Sequence, residues 1–141
     1  MSAPCAATAR RPYLSAMISY TAYRLIHLVG ILLLFVALGG LSYAAGKSSS
    51  DGAPGSRGLV MALHGTGLLV ILVGGFGLLA RIGVEHGIGF PGWVWGKLAI
   101  WLLLGAAVMI PKRKPEWAGA LFLVLPVLGG IASWLALYKP F

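Results

Sequence analysis

The chain predicts an all-α integral membrane protein, a four-helix bundle whose helices run up and down. Three observations carry this. Four long apolar runs, over residues 20–45, 58–81, 93–110 and 117–138, fill most of the 141 residues. Each is near or above the ~20 residues that a helix needs to cross about 30 Å of hydrocarbon. Hydrophobic residues make up 59% of the chain and charged residues 10%, with a mean hydropathy of +0.91. A soluble domain carries about 25% charged residues. The three connections are also short, and short connections join antiparallel neighbours.

The elements follow in order. Residues 1–19 are small, polar and without pattern, and read as a disordered tail ahead of a transmembrane domain over 20–141. Met17 stands directly before the first run and is an alternative start to Met1. Cys5 is the only cysteine, so there is no intramolecular disulfide and no thiolate cluster. The first run is too long for the apolar core of a cleaved signal and lacks a small-residue cleavage site. The connection over 46–57 (GKSSSDGAPGSR) is a Ser/Gly/Pro-rich loop. The second, over 82–92, carries four glycines and Pro91, with Glu85 and His86 among them. The third, over 111–116 (PKRKPE), is a basic turn bracketed by prolines. Pro126 predicts a kink in the fourth helix. Trp93, Trp95, Trp117 and Tyr138 stand at span ends, where aromatic belts form.

The runs hold Gly30, Gly39, Gly40, Gly65, Gly67, Gly74, Gly75, Gly77, Gly96, Gly105, Gly129 and Gly130. Small residues let helices approach closely in lipid, and that packing replaces the hydrophobic drive. The net charge of +8 is spread over the ends and loops. It reads as charge meeting anionic headgroups, with no basic stripe for nucleic acid. Charge does not orient the bundle. Arg10, Arg11, Arg24, Arg81 and Lys139 fall on one side, and Lys47, Arg57, Lys112, Arg113 and Lys114 on the other. With Met17 as the start, the second side prevails and faces the cytoplasm.

Two basic side chains lie inside the runs, His27 in the first and Lys97 in the third. An ionisable group within a span is a functional candidate by default. At ~1.5 Å of rise per residue, alternating helices bring His27 and Lys97 to similar depth. Ser133 falls in the same leaflet, and Arg24 shares a helix face with His27. These four are expected to cluster inside, with Arg81, Glu85 and His86 at the rim. His64 and Thr66 belong to the other leaflet. A haem held by His27 and His64 therefore fails by ~15 Å of rise. His27 alone, or with His86, Lys97 or water opposite, remains as an axial ligand. The plainer alternatives are that His27 and His64 hydrogen-bond to neighbouring helices, that Lys97 snorkels to the interface, and that Arg24 and Arg81 are interface anchors. No acyl nucleophile with a base, phosphate loop, metalloprotease helix or carboxylate pair is present.

The first helix, Tyr23-Arg-Leu-Ile-His27-Leu-Val-Gly30, resembles the opening aromatic/basic-x-x-His-x-x-Gly helix of the SirB, CopD and HemJ-type families of small bacterial inner-membrane proteins. The run Gly92-Trp-Val-Trp-Gly-Lys97-Leu is similar to their Trp/Lys helix, and Ala136-Leu-Tyr-Lys139-Pro to the end of SirB-like proteins. The resemblance implies a multi-pass protein of the bacterial inner membrane. On the HemJ side it implies protoporphyrinogen-oxidase-like activity and tetrapyrrole binding by His27 and Lys97; on the CopD side it implies copper uptake. Trp95 and Gly96 stand where a second histidine often precedes the HemJ lysine, a departure that weighs against an oxidase.

Three expectations follow. The first is a His27/Lys97 pocket that binds a haem-like tetrapyrrole (haem b) or a quinone, with Arg24, Arg81, His86 and Ser133 around it. The second is a non-enzymatic accessory subunit packed against a larger respiratory or transport complex, or against copies of itself. The third is a small copper-handling or transport protein. The balance leans against an enzyme.

Overall fold

The computed structural model describes residues 19–46, 54–83 and 89–140. The expectations placed on the N-terminal tail, Cys5, Met17, Glu85 and His86 lie outside the described residues. Among the described residues five α-helices follow one another: α1 (Tyr20–Gly46), α2 (Pro54–Arg81), α3 (Gly92–Ala106), the single turn α4 (Ile110–Arg113) and α5 (Ala118–Tyr138). Two 3-10 turns, Ala107–Met109 and Pro115–Trp117, flank α4. No strand occurs among the described residues. Among the described residues four segments are long and apolar enough to cross a membrane: Tyr20–Ala45, Arg57–Arg81, Gly92–Met109 and Ala118–Tyr138.

The element ends have local causes. Helix α2 begins at Pro54, inside the predicted loop, because proline's fixed φ and missing N–H suit the first turn of a helix. It closes on Gly83, whose φ of 67° is the left-handed conformation common just past a helix end. Pro91 precedes α3 with φ −55° and ψ 150°, which is not helical. The predicted basic turn is itself helical. Pro111 stands in the first turn of α4, and Lys114 at φ −141° and ψ 78° breaks out, as a residue before a proline must. Helix α5 runs without a break through Pro126.

Contacts along α1 and α2 show these two helices to be antiparallel. A Cβ on Gly77 would strike the Tyr23 ring, and one on Gly74 would lie 2.7 Å from the His27 nitrogen. One on Gly30 would lie 2.7 Å from the Ile71 nitrogen, and one on Gly67 would lie 2.9 Å from that of Leu34. Numbers rise along α1 as they fall along α2. This seam therefore closes to backbone contact, and only glycine permits it. Helix α5 sits between α1 and α3, with Gly129 against Phe35 and Gly96 against Leu135. The core centres on Leu34 and Leu38, one turn apart on α1 and fully buried, and includes Ile100, Leu104, Leu121 and Leu125.

The outward surface is as apolar as the core. Leu123 is 75% exposed and Leu137 79% exposed, with Leu25, Leu32, Leu69 and Leu102 also outward. A water-soluble monomer rarely shows contiguous apolar patches above a few hundred Å². Here every long helix is apolar on all sides, as a lipid-facing bundle requires.

Candidate functional site

The candidate site is the end of the bundle where α1 starts, α2 ends, α3 starts and α5 ends. His27, two turns into α1, is half-buried, and its Nδ1–H donates to the carbonyl of Ile71 at 2.8 Å. A carbonyl only accepts, so the proton is on Nδ1 and Nε2 keeps its lone pair. The glycines make this possible. Gly74 lets the α1 backbone reach α2, and a Cβ on Gly75 would lie 3.3 Å from the imidazole Cε1. The imidazole thus lies over a glycine pair and reaches a carbonyl that a side chain would otherwise cover.

Lys97 is half-buried and lies within electrostatic range of His27. Its ammonium points back one turn to sit 5.1 Å from the centroid of the Trp93 ring. That is the snorkelling geometry, with the stem in the apolar layer and the charge drawn toward the membrane face. Arg81 closes the same end from α2, with its guanidinium 6.0 Å from the centroid of the Tyr23 ring.

Two residues expected inside are placed elsewhere. Arg24 is exposed, one turn from the start of α1, where a long cationic side chain reaches the interface. Ser133 is also exposed, and its hydroxyl donates to the Gly129 carbonyl of its own helix at 2.8 Å. Bonding back to residue i−4 satisfies a serine in lipid with no partner from another helix. His86, like Glu85, lies outside the described residues.

His64 lies in the other half of the bundle, as its position in α2 requires. It is buried, and its Nε2–H donates to the carbonyl of Leu104 at 3.3 Å. Leu104 stands in the last turn of α3, where carbonyls begin to lack intrahelical donors. Trp101, which sequence reasoning did not single out, donates its indole N–H to the Leu68 carbonyl at 3.0 Å. The available signal was a tryptophan deep in a span, whose N–H needs an acceptor there. Buried Ser42 bonds back to Leu38 at 2.8 Å. Among the described residues no buried side-chain nitrogen or oxygen lacks a partner.

These placements test the implied cofactors. A haem fits His27 as one axial ligand, because an imidazole with its Nδ1–H on a carbonyl presents Nε2 to a metal. It does not fit between α1 and α2, where the backbones touch through Gly30, Gly67 and Gly74. His64, the other described histidine, is in the opposite half and bonded to Leu104. No group of three or more His, Cys, Asp or Glu side chains able to hold a metal ion occurs among the described residues. No family model, curated protein or solved structure matches the chain.

Proposed function

We propose that this multi-pass membrane protein is a non-enzymatic subunit of the bacterial inner membrane that works by packing against a larger assembly. The observation behind this reading is the use of its interior polar groups. His27, His64 and Trp101 each donate to a backbone carbonyl of a neighbouring helix, and among the described residues no buried side-chain nitrogen or oxygen lacks a partner. Such bonds join helices into a rigid unit in lipid. The outward faces supply the second support. Gly58, Ala62, Gly65 and Thr66 share an exposed face of α2, and a Cβ on Gly58 or Gly65 would meet nothing within 4 Å. A small-residue face with open space admits another helix at close range.

The test is affinity capture of the full chain from native membranes in mild detergent, followed by native mass spectrometry. A stoichiometric partner or homo-oligomer that is lost on Gly65→Leu, while the monomer keeps its helicity, supports the reading. A monomer in both forms overturns it.

A second reading keeps a ring-shaped ligand, a tetrapyrrole or a quinone, at the outer flank of the His27 end. It is favoured by the fixed imidazole, which leaves Nε2 as an acceptor or ligand with the Lys97 charge nearby. Its test is the absorption spectrum after haem loading, with wild type compared with His27→Ala. A Soret band in wild type alone supports it, and identical spectra remove the haem version.

A further inference from the structure

The same end of the bundle holds an arrangement that the packing role does not use. Trp93, in the first turn of α3, is buried although it stands at a span end. Two ammonium groups face its ring, Lys97 Nζ at 5.1 Å and Lys139 Nζ at 5.6 Å from the centroid. They come from different helices and lie within electrostatic range of each other. Either alone is an ordinary cation–π contact. Together they are two like charges gathered on one ring, and each repels the other.

The backbone holds this pair in place. Lys139 is the C-cap of α5 with φ 43° and ψ 57°, and it is the only described non-glycine residue at positive φ. That conformation costs a lysine free energy that a glycine would not lose. It closes α5 by a bond from the Lys139 N–H to the Leu135 carbonyl and carries the side chain back over Trp93. The chain's three acidic residues are Asp51, Glu85 and Glu116. Glu116, the one described acidic residue, stands at the far end of α5 from Lys139, and Asp51 and Glu85 lie outside the described residues.

We infer that Lys97, Lys139 and Trp93 form a site for the phosphate of an anionic phospholipid headgroup. A phosphate between the two ammonium groups would offset their repulsion and accept charge-assisted hydrogen bonds from both. The level is that of headgroups, because Trp93 and Lys139 mark the ends of two spans. The surface beside the site suits the rest of a lipid. Trp134 and Tyr138 pair on the exposed side of α5 with centroids 6.0 Å apart and rings tilted by 33°, and Leu137 is beside them. An amphiphile seated there has its acyl chains along α5 and its charge at the lysines. The inference is independent of the packing role, since lipid retention and partner capture are separate readouts.

The experiment is native mass spectrometry of the full chain, delipidated in detergent and titrated with phosphatidylglycerol or phosphatidylcholine. Wild type is expected to retain one phosphatidylglycerol that phosphatidylcholine does not replace. The Lys97→Gln/Lys139→Gln double variant should lose that lipid about tenfold more readily, and Lys97→Arg/Lys139→Arg should recover it. Lys139→Gly, which suits the backbone, serves as a second variant if the double variant does not fold, and it should show part of the same loss. Equal retention of phosphatidylglycerol by wild type and the folded glutamine or glycine variant overturns the site. Inorganic phosphate at tens of millimolar distinguishes the source. Failure to displace the lipid supports a headgroup site, whereas phosphate retained in its place assigns the lysines to a free anion and overturns the lipid.

Discussion

At the scale of single residues, polar side chains in this bundle act as links between helices. His27 joins α1 to α2, and His64 and Trp101 join α2 to α3. Side-chain hydrogen bonds between membrane helices average about 0.6 kcal/mol and reach about 1.7 kcal/mol. Trp101→Phe keeps most of the ring and removes the N–H, so a loss of about 0.6 kcal/mol is expected in denaturant unfolding in detergent. His27→Leu should lose about 0.6 to 1.7 kcal/mol. The double variant should show the sum, because the two bonds lie at different interfaces. A coupling of more than about 0.5 kcal/mol between them would contradict independent links. Lys139→Gly is expected to raise stability by about 1 kcal/mol in lipid-free detergent by relieving the left-handed backbone. No gain there would mean that the lysine's contact with Trp93 offsets the strain.

At the scale of elements, glycines divide into those that close a seam and those that face outward. Gly74 is buried against the backbone of His27, and that backbone cannot yield without parting α1 from α2. Gly74→Val is therefore expected to destabilise by on the order of 1–3 kcal/mol. Gly65→Ala meets nothing within 4 Å and should be neutral or stabilise by up to ~1 kcal/mol. Thermal unfolding of the two variants in the same detergent checks both. Equal losses would show that the α1/α2 seam does not determine packing. The connections follow the same local logic. Proline opens α2 and is tolerated in the first turn of α4, and the residue before Pro115 ends α4.

At the scale of the whole molecule, four antiparallel spans place Ser19 and Pro140 on one side. In a Cys5→Ser background, Ser19→Cys and Pro140→Cys should react with a membrane-impermeant thiol reagent from the same face of sealed vesicles. Lys114→Cys should react from the other face. Labelling of Ser19→Cys and Pro140→Cys from opposite faces would contradict the four-span topology. The basic side chains at the His27 end, Arg24, Arg81, Lys97 and Lys139, all come from different turns or helices. Only the folded bundle gathers them, and the lipid site proposed above uses two of them, Lys97 and Lys139, over the Trp93 ring.

Fold class, span number and span limits were legible in the chain because length and hydropathy depend only on local composition. The predicted spans over 20–45 and 58–81 end within one residue of those in the structure. The depth of His27, Lys97 and His64 was legible for the same reason, since helix rise is uniform. What depth cannot show is direction around the helix. These helices are apolar on all sides, so no polar face marks which side turns inward. Tertiary packing alone decided that Arg24 and Ser133 face out, that His27 reaches Ile71 across a glycine seam, and that Lys97 meets Lys139 over Trp93. Those outcomes depend on which backbones can touch, and that is settled between helices rather than within one.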